Sequence, residues 1–341
     1  MSAPHLRVTD HPISVAVIGV GAFGRNHARV YHQLAQQGEA VTLAAVVDQD
    51  VARADAVAKE YGTRAFGSVE QMIATRGEIQ AASVTVPTTE HAAIAQKLME
   101  AGIDVLIEKP LATSLAEADK LTATAQRLGR IGQVGHLERF NPAVRATLPF
   151  LTQPMFFEVH RLSVFTPRAL DVDVVLDLMI HDLDIVLALV NSGVKEIRAV
   201  GLPILSGKVD IANVRMEFES GCVANLTASR VSTERVRKLR FFQPGQYVSI
   251  DYGRQDVLIF SVGKDGKAEG VPSVNPQIGM TKPPVVPEEP LRAELRAFLE
   301  AVRQRTRAVV PLEEGRRALA VALDVTAAIA QHARDVQLHR M

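Results

Sequence analysis

The spacing of apolar residues divides the chain into two parts that meet near residue 135. In the first part, short runs rich in β-branched residues alternate with stretches of helical spacing, such as the one from Ala54 to Tyr61. This alternation is typical of a parallel sheet whose strands are joined by crossover helices. The predicted strands are ISVAVI, VTLAAVV, AASVTV, DVLIE and RIGQV.

Beyond residue 136 the apolar runs are separated by Ser-Gly, Pro-Gly and Tyr-Gly breaks, which favour an antiparallel sheet. Residues 264–290 hold six of the 17 prolines and show little periodicity, so we predict a long loop there. Two helices are predicted at about 291–305 and 312–334.

Length and pattern together predict two domains, because 341 residues are too many for one ordinary core. We predict an α/β domain with a doubly wound parallel sheet at residues 1–135. An α+β domain with an antiparallel sheet is predicted at residues 136–341. The closing helices are expected to pack back near the first domain.

Composition indicates a protein that acts on small molecules. The 38 Lys and Arg residues balance the 38 Asp and Glu residues, so neither nucleic acid nor a membrane is expected as a partner. The single cysteine, Cys222, permits no internal disulfide and fits a reducing cytoplasm. Asp10, His11 and Pro12 lie where a signal peptide needs an apolar core, and no run of 18 apolar residues exists. We therefore expect a soluble cytoplasmic protein.

A glycine motif follows the first predicted strand. Gly19, Gly21 and Gly24 have the G-x-G-x-x-G spacing and open a predicted helix, as in a Rossmann domain. The next strand ends in Asp48, 24 residues beyond Gly24, where a carboxylate binds a ribose diol. The pattern therefore predicts a dinucleotide site, with Ala22 and Phe23 in its turn; a glycine turn without ligand is the alternative.

The cofactor is expected to be NAD rather than NADP. The Asp48 carboxylate would repel a 2′-phosphate, and the next residue is Gln49 rather than arginine. Arg53 lies one helical turn further on and would weaken this preference unless it is simply a solvated surface residue. No metal site is predicted.

The segment VLDLMIHDLDIVLALV, residues 175–190, is apolar except for acids and one histidine. Asp177, His181 and Asp184 are spaced i, i+4 and i+7 and therefore share one helix face. Because burying an unpaired charge is unfavourable, this stripe should face a cleft or a partner. Asp184 is a candidate to orient His181. The alternative is that the acids pair with basic groups of a neighbouring element.

Four motifs occur in order: G-x-G-x-x-G, VTVPTTEH at 84–91, EKP at 108–110 and DLMIHDLD at 177–184. With them, the chain resembles the Gfo/Idh/MocA oxidoreductases over essentially its whole length. The resemblance implies a Rossmann domain followed by an α+β domain whose open sheet serves in oligomer contacts, here in a homodimer or homotetramer. It implies a cyclic polyol or sugar as substrate. It also implies that the nicotinamide side is lined by Thr85, Pro87, His91 and the EKP residues Glu108 and Lys109.

The resemblance further implies that Lys109, Asp177 and His181 surround the reacting carbon. Oxidation of a secondary alcohol requires removal of the hydroxyl proton as hydride leaves the same carbon, and imidazole titrates near neutrality. We expect His181 to take the proton, Lys109 to bond the same oxygen and Asp177 to fix substrate or base. Family members differ in whether lysine or histidine is the base, so both assignments stay open.

Two further stretches, GHLERFNPAV at 135–144 and SRVSTERVRKLRFF at 229–242, are similar to the family branch of UDP-N-acetylglucosamine 3-dehydrogenases. That similarity implies oxidation of a sugar 3-hydroxyl to a 3-keto nucleotide sugar, which an aminotransferase would use towards lipid A. Arginine suits phosphate, although single arginines more often form ion pairs or are solvated. Charge at strand edges also discourages aggregation, which is the alternative for the 230–240 arginines. Candidate substrate residues are Arg139, Asn141, Arg161 and Arg168.

Four other functions stay open from the sequence. They are a free polyol or sugar dehydrogenase of the inositol type, an NAD-dependent glycosidase with a transient 3-keto sugar, a reductase of small carbonyl compounds, and a non-catalytic NAD-binding sensor. A sensor would be expected to lack Lys109 or His181, and both are present.

Overall fold

The computed structural model describes residues 11–75, 79–166, 172–262 and 278–336. Its strands are β1 (Ile13–Ile18), β2 (Val41–Val47), β3 (Arg64–Phe66), β4 (Ala81–Val84), β5 (Asp104–Glu108), β6 (Gly132–Gly135), β7 (Phe156–Leu162), β8 (Val194–Leu202), β9 (Ile211–Phe218), β10 (Val223–Ser229), β11 (Val236–Gln243), β12 (Gln246–Asp251), β13 (Asp256–Val262) and β14 (Ile278–Thr281). Its α-helices are α1 (Ala22–Gln36), α2 (Val51–Tyr61), α3 (Val69–Ala74), α4 (Thr88–Glu100), α5 (Leu115–Leu128), α6 (Pro142–Thr147), α7 (Ile180–Val190), α8 (Pro290–Gln304) and α9 (Leu312–Asp335).

The chain forms two compact units. The first contains the described residues up to Leu137 together with Glu289–Leu319. The second contains Glu138–Glu288 and the described residues from Ala320 onward. Helix α8 therefore belongs to the same unit as the N-terminal sheet, although more than 150 residues separate them in sequence.

The first unit is built on a six-stranded parallel sheet in the order β3-β2-β1-β4-β5-β6. The order reverses between β1 and β4, and ligands of open α/β sheets bind at the carboxyl ends of the strands at such a point. The core combines residues of β1 and α1 with Leu295 and Phe298 of α8. The predicted α/β fold is confirmed, and short β3 is an addition to the predicted strands.

Local sequence explains where the helices of this unit begin and end. The Asp50 side chain accepts a hydrogen bond from Arg53 N at the start of α2, and Ser114 does the same for Glu117 N at the start of α5. Each of these helices then ends at a glycine with positive φ, +65° at Gly62 and +61° at Gly129.

The second unit carries an eight-stranded sheet in the order β14-β13-β12-β11-β7-β10-β9-β8. All neighbouring pairs are antiparallel except β7 and β10, so the predicted antiparallel sheet is confirmed with one parallel pair. Buried and more exposed residues alternate along β9 and β10, which indicates that one face covers a core.

The C-terminal predictions are partly right. The two closing helices occur at Pro290–Gln304 and Leu312–Asp335, close to their predicted bounds. The predicted loop at 264–290 is wrong for Ile278–Thr281, which pairs with β13 as an edge strand. Its four residues are all exposed, so no apolar alternation marks it in the sequence. Within the described residues, no helix has the length and apolar character needed to cross a membrane.

Candidate active site

The turn between β1 and α1 is shaped by its glycines. Gly19 has a φ of +85°, and a Cβ there would lie 2.9 Å from Val86 N. At Gly24 a Cβ would lie 1.8 Å from the Gly19 carbonyl oxygen, so neither position accepts a larger residue. A Cβ on Gly21 would meet nothing within 4 Å, so that the backbone there is open to an approaching pyrophosphate.

Helix α1 begins at Ala22 without a side-chain cap on Gly21, which leaves first-turn N–H groups available to an anion. Phe23 is exposed at the same end of the helix. The Thr85 hydroxyl lies 2.6 Å from the Gly19 carbonyl oxygen and 3.0 Å from that of Ile18, and so ties the glycine turn to the end of β4.

Asp48 lies directly after β2 and is largely buried. Its Oδ2 accepts a hydrogen bond from Val20 N at 2.9 Å, and its Oδ1 accepts one from Asp50 N at 2.9 Å. Arg53 Nη1 lies 3.3 Å from Asp48 Oδ2, and Arg53 Nη2 lies 3.1 Å from Asp50 Oδ2. Arg53 is therefore ion-paired, and two carboxylates outweigh its charge. This local excess of negative charge disfavours a 2′-phosphate.

These elements surround a cavity of about 880 Å³ at the carboxyl edge of the sheet. The residues around it fit a dinucleotide, because they combine an open glycine turn, a helix N-terminus and a ribose-binding carboxylate. The lining includes the predicted cofactor residues Gly19, Gly21, Asp48, Thr85 and Pro87.

Replacing Asp48 by asparagine is expected to weaken NAD binding about 10- to 100-fold. It should also reduce the ratio of the affinity for NAD to the affinity for NADP. A hydrogen bond to a charged group contributes about 1.5–3 kcal/mol, and each 1.4 kcal/mol is a factor of ten. Titration of the variant with both cofactors by calorimetry measures the change. Asp55→Asn, on the exposed face of α2, is the matched control. An unchanged ratio of the two affinities would contradict the assignment.

His91 of α4 is buried between two backbone carbonyls. Its Nδ1 lies 2.9 Å from Pro110 O and its Nε2 lies 3.0 Å from Val86 O. Burial lowers the pKa of His91 below its ordinary value, and a neutral imidazole donates to only one of the two carbonyls at a time. His91 thus connects the chain after β4 to the chain after β5, which are the two segments predicted to flank the nicotinamide.

The EKP segment follows β5 at the same sheet edge. Glu108 is buried, and its Oε1 lies 3.2 Å from Nε2 of the fully buried His27. A Cβ at Gly135 would lie 2.5 Å from Glu108 Oε1, so only glycine leaves room for this carboxylate. Lys109 is half-buried. Its position after a central parallel strand suits a group that acts on a ligand.

Glu294 of α8 is a fully buried acid that the sequence did not single out. Neither carboxylate oxygen accepts a hydrogen bond from the described residues. Burial, with a smaller contribution from the Glu108 charge, raises the pKa of Glu294 well above its ordinary 4.5. The folded protein therefore keeps this carboxyl group protonated at a pH where the unfolded chain has lost the proton.

The raised pKa of Glu294 makes stability depend on pH. The stabilising contribution is complete below pH 4.5, the ordinary pKa, and is lost as pH rises towards the raised folded pKa. Glu294→Gln removes this titrating group. The free energy of unfolding of the variant should therefore rise relative to that of the parent, by about 1.4 kcal/mol per pH unit between the ordinary and the raised pKa. Urea unfolding from pH 5 to 9 tests this, with exposed Glu300→Gln of the same helix as control. Parallel pH profiles for variant and parent would contradict it.

In the second unit, residues Val175–Met179 form a π-helical turn that leads into α7. Asp173 starts this turn, because its Oδ1 accepts hydrogen bonds from Val175 N and Leu176 N at 2.9 and 3.0 Å. Asp177 and His181 are half-buried, whereas most of α7 is buried. Asp177 borders a cavity of about 380 Å³, which agrees with a polar stripe beside a cleft.

The other acids of this helix form buried ion pairs. Arg161 of β7 binds Asp182 through two hydrogen bonds, Nε to Oδ2 at 2.6 Å and Nη2 to Oδ1 at 2.9 Å. Its Nη1 donates to Glu138 Oε1 at 3.0 Å. Burial would lower the pKa of Arg161, but the two carboxylates raise it above its ordinary value. An acid of this helix is thus paired with a basic group of a neighbouring element, which is the alternative that the sequence left open.

The remaining substrate candidates also have partners inside this unit. Arg139 binds Asp184 with Nε–Oδ2 and Nη2–Oδ1 distances of 2.7 and 3.2 Å. Asn141 caps α6 through Ala143 N, and its Nδ2 donates to the carbonyl of Tyr252 at 3.1 Å. Arg168 lies outside the described residues. A substrate role for these residues stays a prediction, and structural roles already account for Arg139, Asn141 and Arg161.

Two domain models match the sequence. The first, described as an oxidoreductase family with an NAD-binding Rossmann fold, matches residues 13–136. The second, the GFO/IDH/MocA C-terminal domain, matches residues 123–243. The chain belongs to the Gfo/Idh/MocA oxidoreductase family. The predicted family, enzyme class and NAD cofactor are thereby confirmed, and the glycine turn and Asp48 are the parts of the Rossmann unit that fit NAD.

Individual relatives in this family include a UDP-N-acetylglucosamine 3-dehydrogenase of Acidithiobacillus ferrooxidans, 38% identical over 92% of this chain and 96% of that protein. A solved structure of that enzyme aligns with a TM-score of 0.84, covering 93% of this chain and 98% of the other. A scyllo-inositol 2-dehydrogenase (NAD(+)) of Bacillus subtilis is 28% identical over 65% of this chain and 69% of its own length.

Proposed function

We propose that the protein oxidises the 3-hydroxyl of UDP-N-acetylglucosamine to a 3-keto nucleotide sugar, with NAD as hydride acceptor. The observation that carries the proposal is the 38% identity to a UDP-N-acetylglucosamine 3-dehydrogenase across 92% of the chain. The inositol dehydrogenase match is weaker and shorter. The product has the ketone that an aminotransferase uses towards 3-amino sugars such as those of lipid A.

The mechanism assigns one task to each of three side chains. NAD, held by the glycine turn and Asp48, would supply the acceptor for the hydride of the sugar carbon. His181 removes the hydroxyl proton as general base, a task for which imidazole is suited because it titrates near neutral pH. Lys109 donates a hydrogen bond to the same oxygen, and Asp177 fixes the substrate or the base. The half-buried positions of His181, Lys109 and Asp177 suit these tasks, because each side chain is partly shielded from water but still accessible to a ligand.

A homo-oligomer formed through the sheet of the second unit, in the cytoplasm, is part of the proposal. Aromatic rings contact one another across β7, β11, β12 and β13, with centroid distances of 5.6 Å for the tilted pair Phe156–Phe242, and 4.9 Å and 5.7 Å for the stacked pairs Phe242–Tyr247 and Tyr247–Phe260. Phe242 is exposed, as is Met280 on the adjoining β14. A second copy of the chain would bury this apolar surface.

The direct test mixes purified protein, NAD and single candidate substrates and follows the absorbance of reduced nicotinamide. UDP-N-acetylglucosamine should give NADH, and product analysis should show a 3-keto sugar. Strong NADH production from a free inositol with none from UDP-N-acetylglucosamine would overturn the substrate. Glycoside cleavage without net NADH would instead indicate the glycosidase alternative.

A further inference from the structure

A basic cavity in the second unit lies beside the predicted catalytic helix. Its volume is about 380 Å³, within the range of small-ligand sites. It is bordered by the end of β7, the π-helical turn and the segment that leads into β11. The polar residues around it are Ser163, Thr166, Asp177, Arg230, Arg235 and Arg237.

The three arginines of this cavity differ in their partners. Arg230 is buried, with Nε 3.3 Å from Asp210 Oδ1 and Nη2 donating to the carbonyls of Val172 and Val209. Arg235 and Arg237 are partly exposed to solvent. Neither of their guanidinium groups has an ion-pair or hydrogen-bond partner among the residues that the structure describes.

Arg237 lies beside two further positive charges, those of Arg161 and Arg235. Arg237 pairs across the strands with Arg161, which itself binds Asp182 and Glu138. Partial burial and the charges of Arg161 and Arg235 lower the pKa of Arg237 below its ordinary value, although the Glu138 and Asp182 carboxylates act in the opposite direction. An anion bound at this point would stabilise the charged form of the Arg237 guanidinium.

We propose that Arg235 and Arg237 form a subsite for the diphosphate of a nucleoside diphosphate sugar. Arg237 is the second residue of β11 and Arg235 lies directly before that strand. Both border the cavity, so their side chains can hold adjacent phosphates. Guanidinium groups bind phosphate oxygens through two parallel hydrogen bonds. The Ser163 and Thr166 hydroxyls add further donors at the cavity wall.

The position of the subsite fits a sugar nucleotide. The same cavity is bordered by Asp177, which the proposed mechanism places near the reacting sugar carbon. A diphosphate held by the arginines would present its attached sugar to that acid. This subsite rests on the proposed function and extends it, since it explains how a sugar nucleotide is preferred to a free sugar.

The test compares Arg235→Gln, Arg237→Gln and the double variant with the parent. The double variant should raise the KM for UDP-N-acetylglucosamine and the inhibition constant of UDP together, about 10- to 100-fold, with little change in the KM for NAD. Arg240→Gln is the matched control, because Arg240 lies on the same strand but is ion-paired with Glu158 at 3.1 Å. Far-UV circular dichroism and melting temperature establish that each variant is folded.

Failure of the subsite and failure of the proposed function give different results. If the folded double variant keeps the parental KM and the parental UDP inhibition constant, the subsite is overturned while the function stands. If no sugar nucleotide is oxidised at all, calorimetry with inorganic pyrophosphate still tests the subsite. Binding that is lost in the double variant but kept in Arg240→Gln then supports it, and binding that is absent or unaffected by the double change overturns it.

Discussion

Replacement of Arg161 by alanine is expected to destabilise the second unit by about 3–5 kcal/mol, because it leaves Asp182 and Glu138 buried without their cation. Breaking one side of a buried ion pair has this effect even where the pair itself adds little net stability. Urea unfolding monitored by far-UV circular dichroism measures the loss of stability, because the chain contains no tryptophan for fluorescence.

Two comparisons make the Arg161 result interpretable. Arg240→Ala removes a half-exposed ion pair with Glu158 and should change stability by less than about 1 kcal/mol. Asp182→Asn keeps the volume while removing one charge of the cluster, and should also be destabilising. If Arg161→Ala were as stable as the parent and only bound the nucleotide sugar more weakly, the substrate role expected from the sequence would be favoured instead.

Replacement of His181 by alanine is expected to lower kcat about 10²- to 10⁴-fold, the usual contribution of a positioned general base. Because the step affected is proton removal, the KM for NAD should change little. Initial rates of NADH formation across pH 5–10 measure the loss, and the acidic limb of the parental rate profile should disappear. His160→Ala, at a half-buried position of β7, is the control.

A different result for His181→Ala would reassign the general base. Weaker substrate binding with kcat retained in His181→Ala would remove the histidine from the proton-transfer step. Lys109 would then be the remaining candidate base. In that case Lys109→Met should cause the decrease in kcat that His181→Ala did not.

The dinucleotide cavity is lined by residues that the sequence motif named, including Gly19, Gly21 and Asp48. Gly19 and Gly24 lie within one strand, turn and helix, and Asp48 follows the next strand and binds the same turn, so spacing alone is informative. The acids of α7 are different. Spacing assumed 3.6 residues per turn from Asp177 onward, but the helix starts with a π-helical turn. Asp182 is the best-paired acid, and its partner Arg161 comes from a strand 21 residues earlier in sequence.

Other residues were missed because their environment depends on distant segments. Glu294 lies in an amphipathic helix at a position that becomes fully buried only when that helix packs within the first unit. Its placement among apolar neighbours in LRAELRAFL was the available signal. Arg235 and Arg237 stood in a basic run, and nothing in the run itself distinguishes them from Arg240, which has an acidic partner.

The sharing of one core between the start of the chain and α8 has a consequence for biosynthesis. Leu295 and Phe298 complete an apolar cluster with residues from β1 and α1. During translation, that cluster stays open to solvent until the ribosome has released residues near 300, long after the first strands have emerged. The nascent polypeptide therefore exposes apolar surface for much of its synthesis, which favours aggregation during that period.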